Sequence, residues 1–173
     1  TDYKALAGIT GRLASAKNPE DSVKYSEIIA STVSFDEVWK LRKETIWDDI
    51  LLFGTDFQKK IWRKLWELTH SQDERARLIS YSDFAELCQN RAGVRAVAHA
   101  IGMNPLSVII PCHLVVPKES IDKIRQIREK AESTIFKGED LCLDSLLRDK
   151  SIDFGEYSLG RRIKRELIVR ELQ

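Results

Sequence analysis

Apolar residues recur at helical spacing through most of this chain, and the pattern breaks in one place. From Tyr3 to about Lys17, Leu6, Ile9 and Leu13 fall on one stripe, which predicts a helix. Asn18-Pro19-Glu20-Asp21 ends it and starts a second helix running to about Thr32, with Pro19 suited to a first turn. Ser34 and Glu37 have the spacing of a capping box, opening a helix through Val38 and Leu41. Ile46 to Phe53 is apolar and aromatic and reads either as a short strand or as a helix end. After Gly54, Thr55 caps a helix whose broad apolar face carries Phe57, Ile61, Trp62, Leu65, Trp66 and Leu68. Lys59, Lys60, Arg63 and Lys64 lie opposite, as a solvated face. His70 to Arg77 reads as polar connector, with His70 exposed.

Ser80-Tyr81-Ser82-Asp83 opens a short helix through Leu87, Asn90-Arg91-Ala92-Gly93 is a tight turn, and Val94 to Ile101 forms a second short helix. Helix, glycine-containing turn, helix is the shape of a DNA-reading helix-turn-helix. The small side chains of Ala96, Ala98 and Ala100 suit close approach to a groove, and they suit tight helix packing equally well. The break in period follows Gly102-Met103-Asn104-Pro105. Ser107 to Val116 (SVIIPCHLVV) is a β-branched, aliphatic run that predicts a buried central strand, interrupted where Pro111 lacks a ladder donor. A strand that stops to present Cys112 and His113 suggests a reactive thiol. An inert core cysteine is the plainer reading of those residues alone.

Beyond Val116, Lys118 to about Asp153 is rich in both charges, with Ile121, Ile124, Ile127 and Ala131 at helical spacing. It reads as an ordered helical insertion on the rim of the fold. Gly155 to Gly160 is a loop, and a last helix from Arg161 to Leu172 packs Ile163, Leu167 and Ile168. Arg161, Arg162, Lys164, Arg165 and Arg170 make its outer side basic. The predicted organisation is a short helical N-terminal region, 1–53, followed by a domain at 54–173 carrying an insertion at about 117–154.

Composition adds bounds. With 173 residues, 43% hydrophobic and 32% charged, the chain suits one soluble domain or two small ones. Its net charge of +1 provides no global attraction to nucleic acid, so any such binding needs a local patch. Three well-separated cysteines, Cys88, Cys112 and Cys142, form no CxxC pair; this argues against a disulfide framework or structural zinc and fits a reducing compartment. No apolar run has the length of a membrane span, and the N-terminus has no signal-peptide pattern.

Taken together, Gly54-Thr55-Asp56-Phe57-Gln58 with Trp62, Ser80-Tyr81, Arg95-Ala96-Val97, Asn104-Pro105, Pro111-Cys112-His113 and Tyr157-Ser158-Leu159-Gly160 with Lys164 and Glu171 resemble the O6-alkylguanine-DNA alkyltransferases. The likeness covers residues 54–116 and 155–172. It implies a mainly α fold with a small β component: a winged-helix-like C-terminal domain with a helix-turn-helix. It further implies single-turnover transfer of an alkyl group from flipped O6-alkylguanine in duplex DNA to Cys112. No cofactor or metal is called for. The expected setting is a monomer inside the cell, in the nucleus or the cytoplasm according to source.

By the same resemblance, His113 takes the thiol proton through a water, because side chains adjacent in an extended segment diverge, and Glu171 orients the imidazole. Tyr81 and the backbone N–H of Ser158 serve the departing guanine. The carbonyls of Cys112 and Val115 receive its amino group, Asn104 braces the turn, and Tyr157 forms a pocket wall. Arg95, with Ala96, Ala98 and Tyr81, meets the DNA, and Arg95 intercalates where the base was. Leu114 departs from the family's PCHR pattern, the segment after Val116 is longer than the family's hairpin, and a helical N-terminal region is atypical. Three other functions fit the same chain, among them a structural or interaction protein built around the charged insertion. The others are an alkyltransferase-like protein that binds lesions without transfer and a helix-turn-helix regulator.

Overall fold

The computed structural model of this chain describes residues 35–50, 54–70, 78–134 and 151–172. The two helices expected before Ser34, and Ser34 as a cap, lie outside the described residues. Helix α1 spans Phe35–Glu44, and a 3-10 turn at Trp47–Asp49 follows it, while residues 51–53 of the expected strand or helix end lie outside the described residues. Helix α2 (Asp56–His70) begins with a capping box. Thr55 Oγ1 accepts from the Gln58 N–H at 3.2 Å, while Gln58 Oε1 accepts from the Thr55 N–H at 2.9 Å. Ile61, Trp62 and Leu65 are buried, but Phe57, one turn earlier, stays exposed.

Strand β1 (Ile79–Ser80) leads into helix α3 (Tyr81–Leu87), where the Ser80 hydroxyl accepts from the Asp83 N–H at 3.1 Å. The helix closes in a Schellman arrangement. Asn90 N–H donates to Ala85 O and Gln89 N–H to Glu86 O, both at 2.8 Å, with Gln89 at φ 57°. A 3-10 turn at Arg91–Gly93 then delivers the chain into helix α4, Val94–Gly102. The helix-turn-helix read from the sequence is therefore present.

The expected central strand is corrected. Ser107 and Ile110 form an isolated bridge, Cys112–Leu114 is a 3-10 turn, and only Val115–Val116 is strand, β2. β2 runs parallel to β1, with Ile79 opposite Val115 and Ser80 opposite Val116. The β-branched composition reflects burial and not pairing. Val108 sits at φ 78°, a left-handed conformation that costs a β-branched residue on the order of 1–3 kcal/mol and that a ladder does not accommodate.

Helix α5 (Lys118–Thr134) and helix α6 (Arg161–Leu172) complete the described elements. The chain divides into two compact units, residues 1–72 with 99–112 and residues 73–98 with 113–173. In the first, the indole N–H of Trp62 donates to Ala100 O at 2.8 Å, tying α2 to the end of α4. In the second, Val116, Ile124, Ile152, Phe154, Ile168 and Val169 form the core, with Leu78 and Ile121 packed against it. Ile124 on α5 and the pair Ile152 and Phe154 all lie within 117–154. The described ends of that segment are thus core and not rim, because Ile121, Ile124, Ile152 and Phe154 pack against the cluster that holds Val116 of the small sheet.

Candidate active site

Within the first unit, Cys112 is built from the chain between α4 and the 3-10 turn. Asn104, buried at the end of α4, spends its whole amide on that stretch. Its Oδ1 accepts from the Leu106 N–H at 3.0 Å, and its Nδ2 donates to Ile110 O at 2.8 Å and to Cys112 Sγ at 2.9 Å. One side chain therefore closes the loop that carries Val108 and points an N–H at the sulfur. Cys112 is 5% exposed, a thiol that solvent barely reaches.

In the second unit, His113 is fully buried and its Nε2 lies 2.8 Å from Glu171 Oε1. A carboxylate takes the proton-bearing nitrogen, so the neutral ring donates from Nε2 and keeps its acceptor lone pair on Nδ1. The Tyr157 ring meets His113 edge-on, with centroids 6.4 Å apart at 84°. The extended geometry expected for Cys112 and His113 is not found. They occupy a 3-10 turn, in which successive side chains still diverge, at roughly a third of a turn per residue.

The outer side of α6 is less basic than its composition suggests. Lys164 is 1% exposed and donates to Val115 O at 2.8 Å and to Glu156 O at 3.4 Å. Its ammonium also lies 5.9 Å from the centroid of the Tyr81 ring. Arg165 donates to Ile152 O and stacks over Phe154. Arg161, Arg162 and Arg170 alone among those five cations are exposed. Sequence reasoning missed Lys164 as a structural tie, although the signal was there. Lys164, Leu167, Ile168 and Glu171 fall at i, i+3, i+4 and i+7, one helical stripe, and that stripe faces inward.

The remaining positions divide by exposure. Arg95, Ala96 and His99 form an exposed line on α4, while Ala98 is half-buried and Val97 and Ala100 are buried. Ser158 is exposed in the turn closed by the Gly160 N–H on Tyr157 O at 2.9 Å. Tyr81 and Tyr157 are half-buried, and Val115 is fully buried. Leu114, where the resemblance calls for arginine, is also fully buried.

His70 is also corrected. Far from standing exposed in a connector, it ends α2 stacked on Trp66 at 3.8 Å, with Nε2 2.9 Å from Arg42 O.

Residues 56–134 match the family model described as 6-O-methylguanine DNA methyltransferase, DNA binding domain. A probable methylated-DNA–protein-cysteine methyltransferase of Acanthamoeba polyphaga mimivirus is 42% identical over 72 residues, which is 42% of this chain and 45% of that protein. The inducible methylated-DNA–protein-cysteine methyltransferase of Bacillus subtilis is 43% identical over 65 residues, 38% of this chain and 34% of that protein. The methylated-DNA–protein-cysteine methyltransferase of Methanosarcina mazei is 36% identical over 63 residues, 36% of this chain and 37% of that protein. The matched stretch thus spans less than half the length of these relatives. No solved structure matches the chain.

Proposed function

From the match of residues 56–134 to the model of the 6-O-methylguanine DNA methyltransferase DNA-binding domain, we propose that the protein repairs duplex DNA by taking the alkyl group of O6-alkylguanine onto Cys112. The exposed line of Arg95, Ala96 and His99 on α4 supports a DNA-facing role for that helix. The target base is stacked in the duplex and must be rotated out to be reached. Arg95 fills the space it leaves.

In the chemical step the Cys112 thiol loses its proton to a water held by His113, whose Nδ1 is the accepting nitrogen. Glu171 stabilises the imidazolium that results. The sulfur then attacks the alkyl carbon, the carbon–oxygen bond breaks, and the bonding pair leaves with guanine. The Tyr81 hydroxyl and the Ser158 N–H meet the charge on that leaving group, and the Val115 carbonyl holds its amino group. The thioether has no hydrolytic exit, so each molecule acts once and needs no cofactor. We read the protein as a monomer acting inside the cell.

The observation that carries this reading is the buried His113–Glu171 contact at 2.8 Å, on the residue directly after Cys112. An inert core cysteine needs no oriented imidazole beside it in the chain. The test is intact mass after incubation with a duplex containing O6-methylguanine. The mass should rise by one methyl group, mapped to Cys112 and not to Cys88 or Cys142, and Cys112→Ala should bind the lesion without any gain. An unmodified Cys112 in wild-type protein that demonstrably binds the duplex would assign it to lesion recognition without transfer.

A further inference from the structure

Helix α4 presents a second side chain on the line that carries Arg95, and the chemistry above does not use it. Of the chain's three histidines, His70 is stacked on Trp66 and His113 is buried against Glu171; His99 alone is exposed. It stands one helical turn after Arg95, while Val97, Ala100 and Ile101 turn inward. Met103, 44% exposed, continues the line, and its N–H donates to His99 O at 3.0 Å. Histidine is a middling helix former, so local propensity does not account for it at a solvated position.

The His99 ring has no hydrogen bond or ion pair among the described residues. Helix α4 has no carboxylate, and Met103 to Pro111 has no charged side chain at all. The acids on the neighbouring elements are engaged elsewhere. On α3, Asp83 accepts from the Ser80 hydroxyl at 2.7 Å, and Glu86 lies 3.9 Å from Arg91 in the turn before α4. On α2, whose Trp62 indole donates to Ala100 O, Lys59 and Arg63 are exposed cations, and Glu67 lies 3.4 Å from Arg63. Asp56 sits in the first turn of α2, where the helix's own N–H groups favour a carboxylate. A positive charge on His99 therefore has no counter-charge inside the described protein.

We propose that His99 is a proton-linked contact to the DNA phosphates, so that duplex binding takes up a proton onto its imidazole. The inference rests on the DNA-facing role of α4 proposed above. An imidazolium one turn along from Arg95 offers a phosphate oxygen a charge-assisted hydrogen bond. The neutral ring offers the hydrogen bond without the charge. Affinity for duplex is therefore greater below the histidine range and falls as pH rises through it.

The test is duplex affinity against pH for the full chain as wild type, His99→Gln and His99→Lys. The probe is an unmodified duplex carrying a rhodamine label, so that no transfer consumes the protein. Binding is read by anisotropy from about pH 5.5 to about pH 8, which spans the ordinary histidine range. Across that span wild-type affinity should fall by about 2- to 5-fold more than the affinity of His99→Gln. His99→Lys should hold the acid-side affinity of wild type throughout. At the acid end the salt dependence of wild type should be steeper than that of His99→Gln by one phosphate contact, a slope difference of roughly 0.9. At the alkaline end the two slopes should coincide. Equal pH profiles in wild type and His99→Gln, or equal salt slopes at both ends, would overturn the proposal. Melting temperatures of the three proteins without DNA should agree within about 2 °C at either pH. A pH-dependent gap between them would assign His99 to the fold instead. If wild type binds no duplex at any pH, the DNA-directed function proposed above fails; binding with an unchanged profile in His99→Gln defeats the role of His99 alone.

Discussion

At the scale of single residues, the site depends on what a buried side chain is paired with. His113 and Glu171 are 0% and 3% exposed, so the carboxylate is the group that makes a buried imidazolium tolerable. Glu171→Gln keeps an acceptor for Nε2 but removes the charge. It should slow transfer by about 10- to 100-fold while changing stability by less than about 1.5 kcal/mol, as read by single-turnover rates beside urea melts. Equal rates would show that Glu171 only packs. Leu114 poses the opposite question. Its side chain is fully buried in this protein, so introducing by Leu114→Arg the arginine that the resemblance calls for should not improve activity. An unpaired buried guanidinium should cost about 3–5 kcal/mol, visible as a lower urea midpoint. A variant of unchanged stability would reveal a waiting carboxylate partner.

Among the elements, α4 shows how a helix can be divided between two duties. Val97 and Ala100 turn inward, while Arg95, Ala96 and His99 stay outside. Of the alanines that read equally as groove-facing or packing residues, Ala100 is buried and packs, Ala98 is half-buried and Ala96 is exposed. Arg95 is exposed, with no hydrogen bond or ion pair among the described residues, so Arg95→Ala should leave the melting temperature within about 2 °C of wild type, the shift typical of a neutral surface change. Transfer from O6-methylguanine in duplex should fall at least about tenfold, the cost of losing roughly 1.4 kcal/mol of DNA interaction, while reaction with free base is unaffected. If both rates fall together, Arg95 supports the fold and the intercalation role is wrong.

For the molecule as a whole, the described ends of the segment 117–154 supply much of the core of the second unit. Ile124, Ile152 and Phe154 are half of its core cluster, and each buried apolar side chain of this kind contributes about 1.5–3 kcal/mol. Their joint loss approaches the entire stability of a small domain, about 5–15 kcal/mol. Replacing 117–154 with a short glycine hairpin should therefore abolish cooperative melting, followed by circular dichroism; a variant that still melts sharply and transfers would place the segment at the periphery. Among the described residues, the sequence alone determined the helices, the Thr55 cap, the helix-turn-helix, the end of α6 and the cysteine–histidine pair. These follow from local period and local hydrogen bonding, which neighbours along the chain specify. Only the tertiary structure decided that, of SVIIPCHLVV, Val115–Val116 alone is strand while Ser107 to Leu114 is a buried loop ending in a 3-10 turn, because composition reports burial and strand formation needs a partner. The inward turn of Lys164, the stacking of His70 and the absorption of a charged segment into the core were decided there too. Each depends on an acceptor, ring or apolar surface that lies far away in the chain.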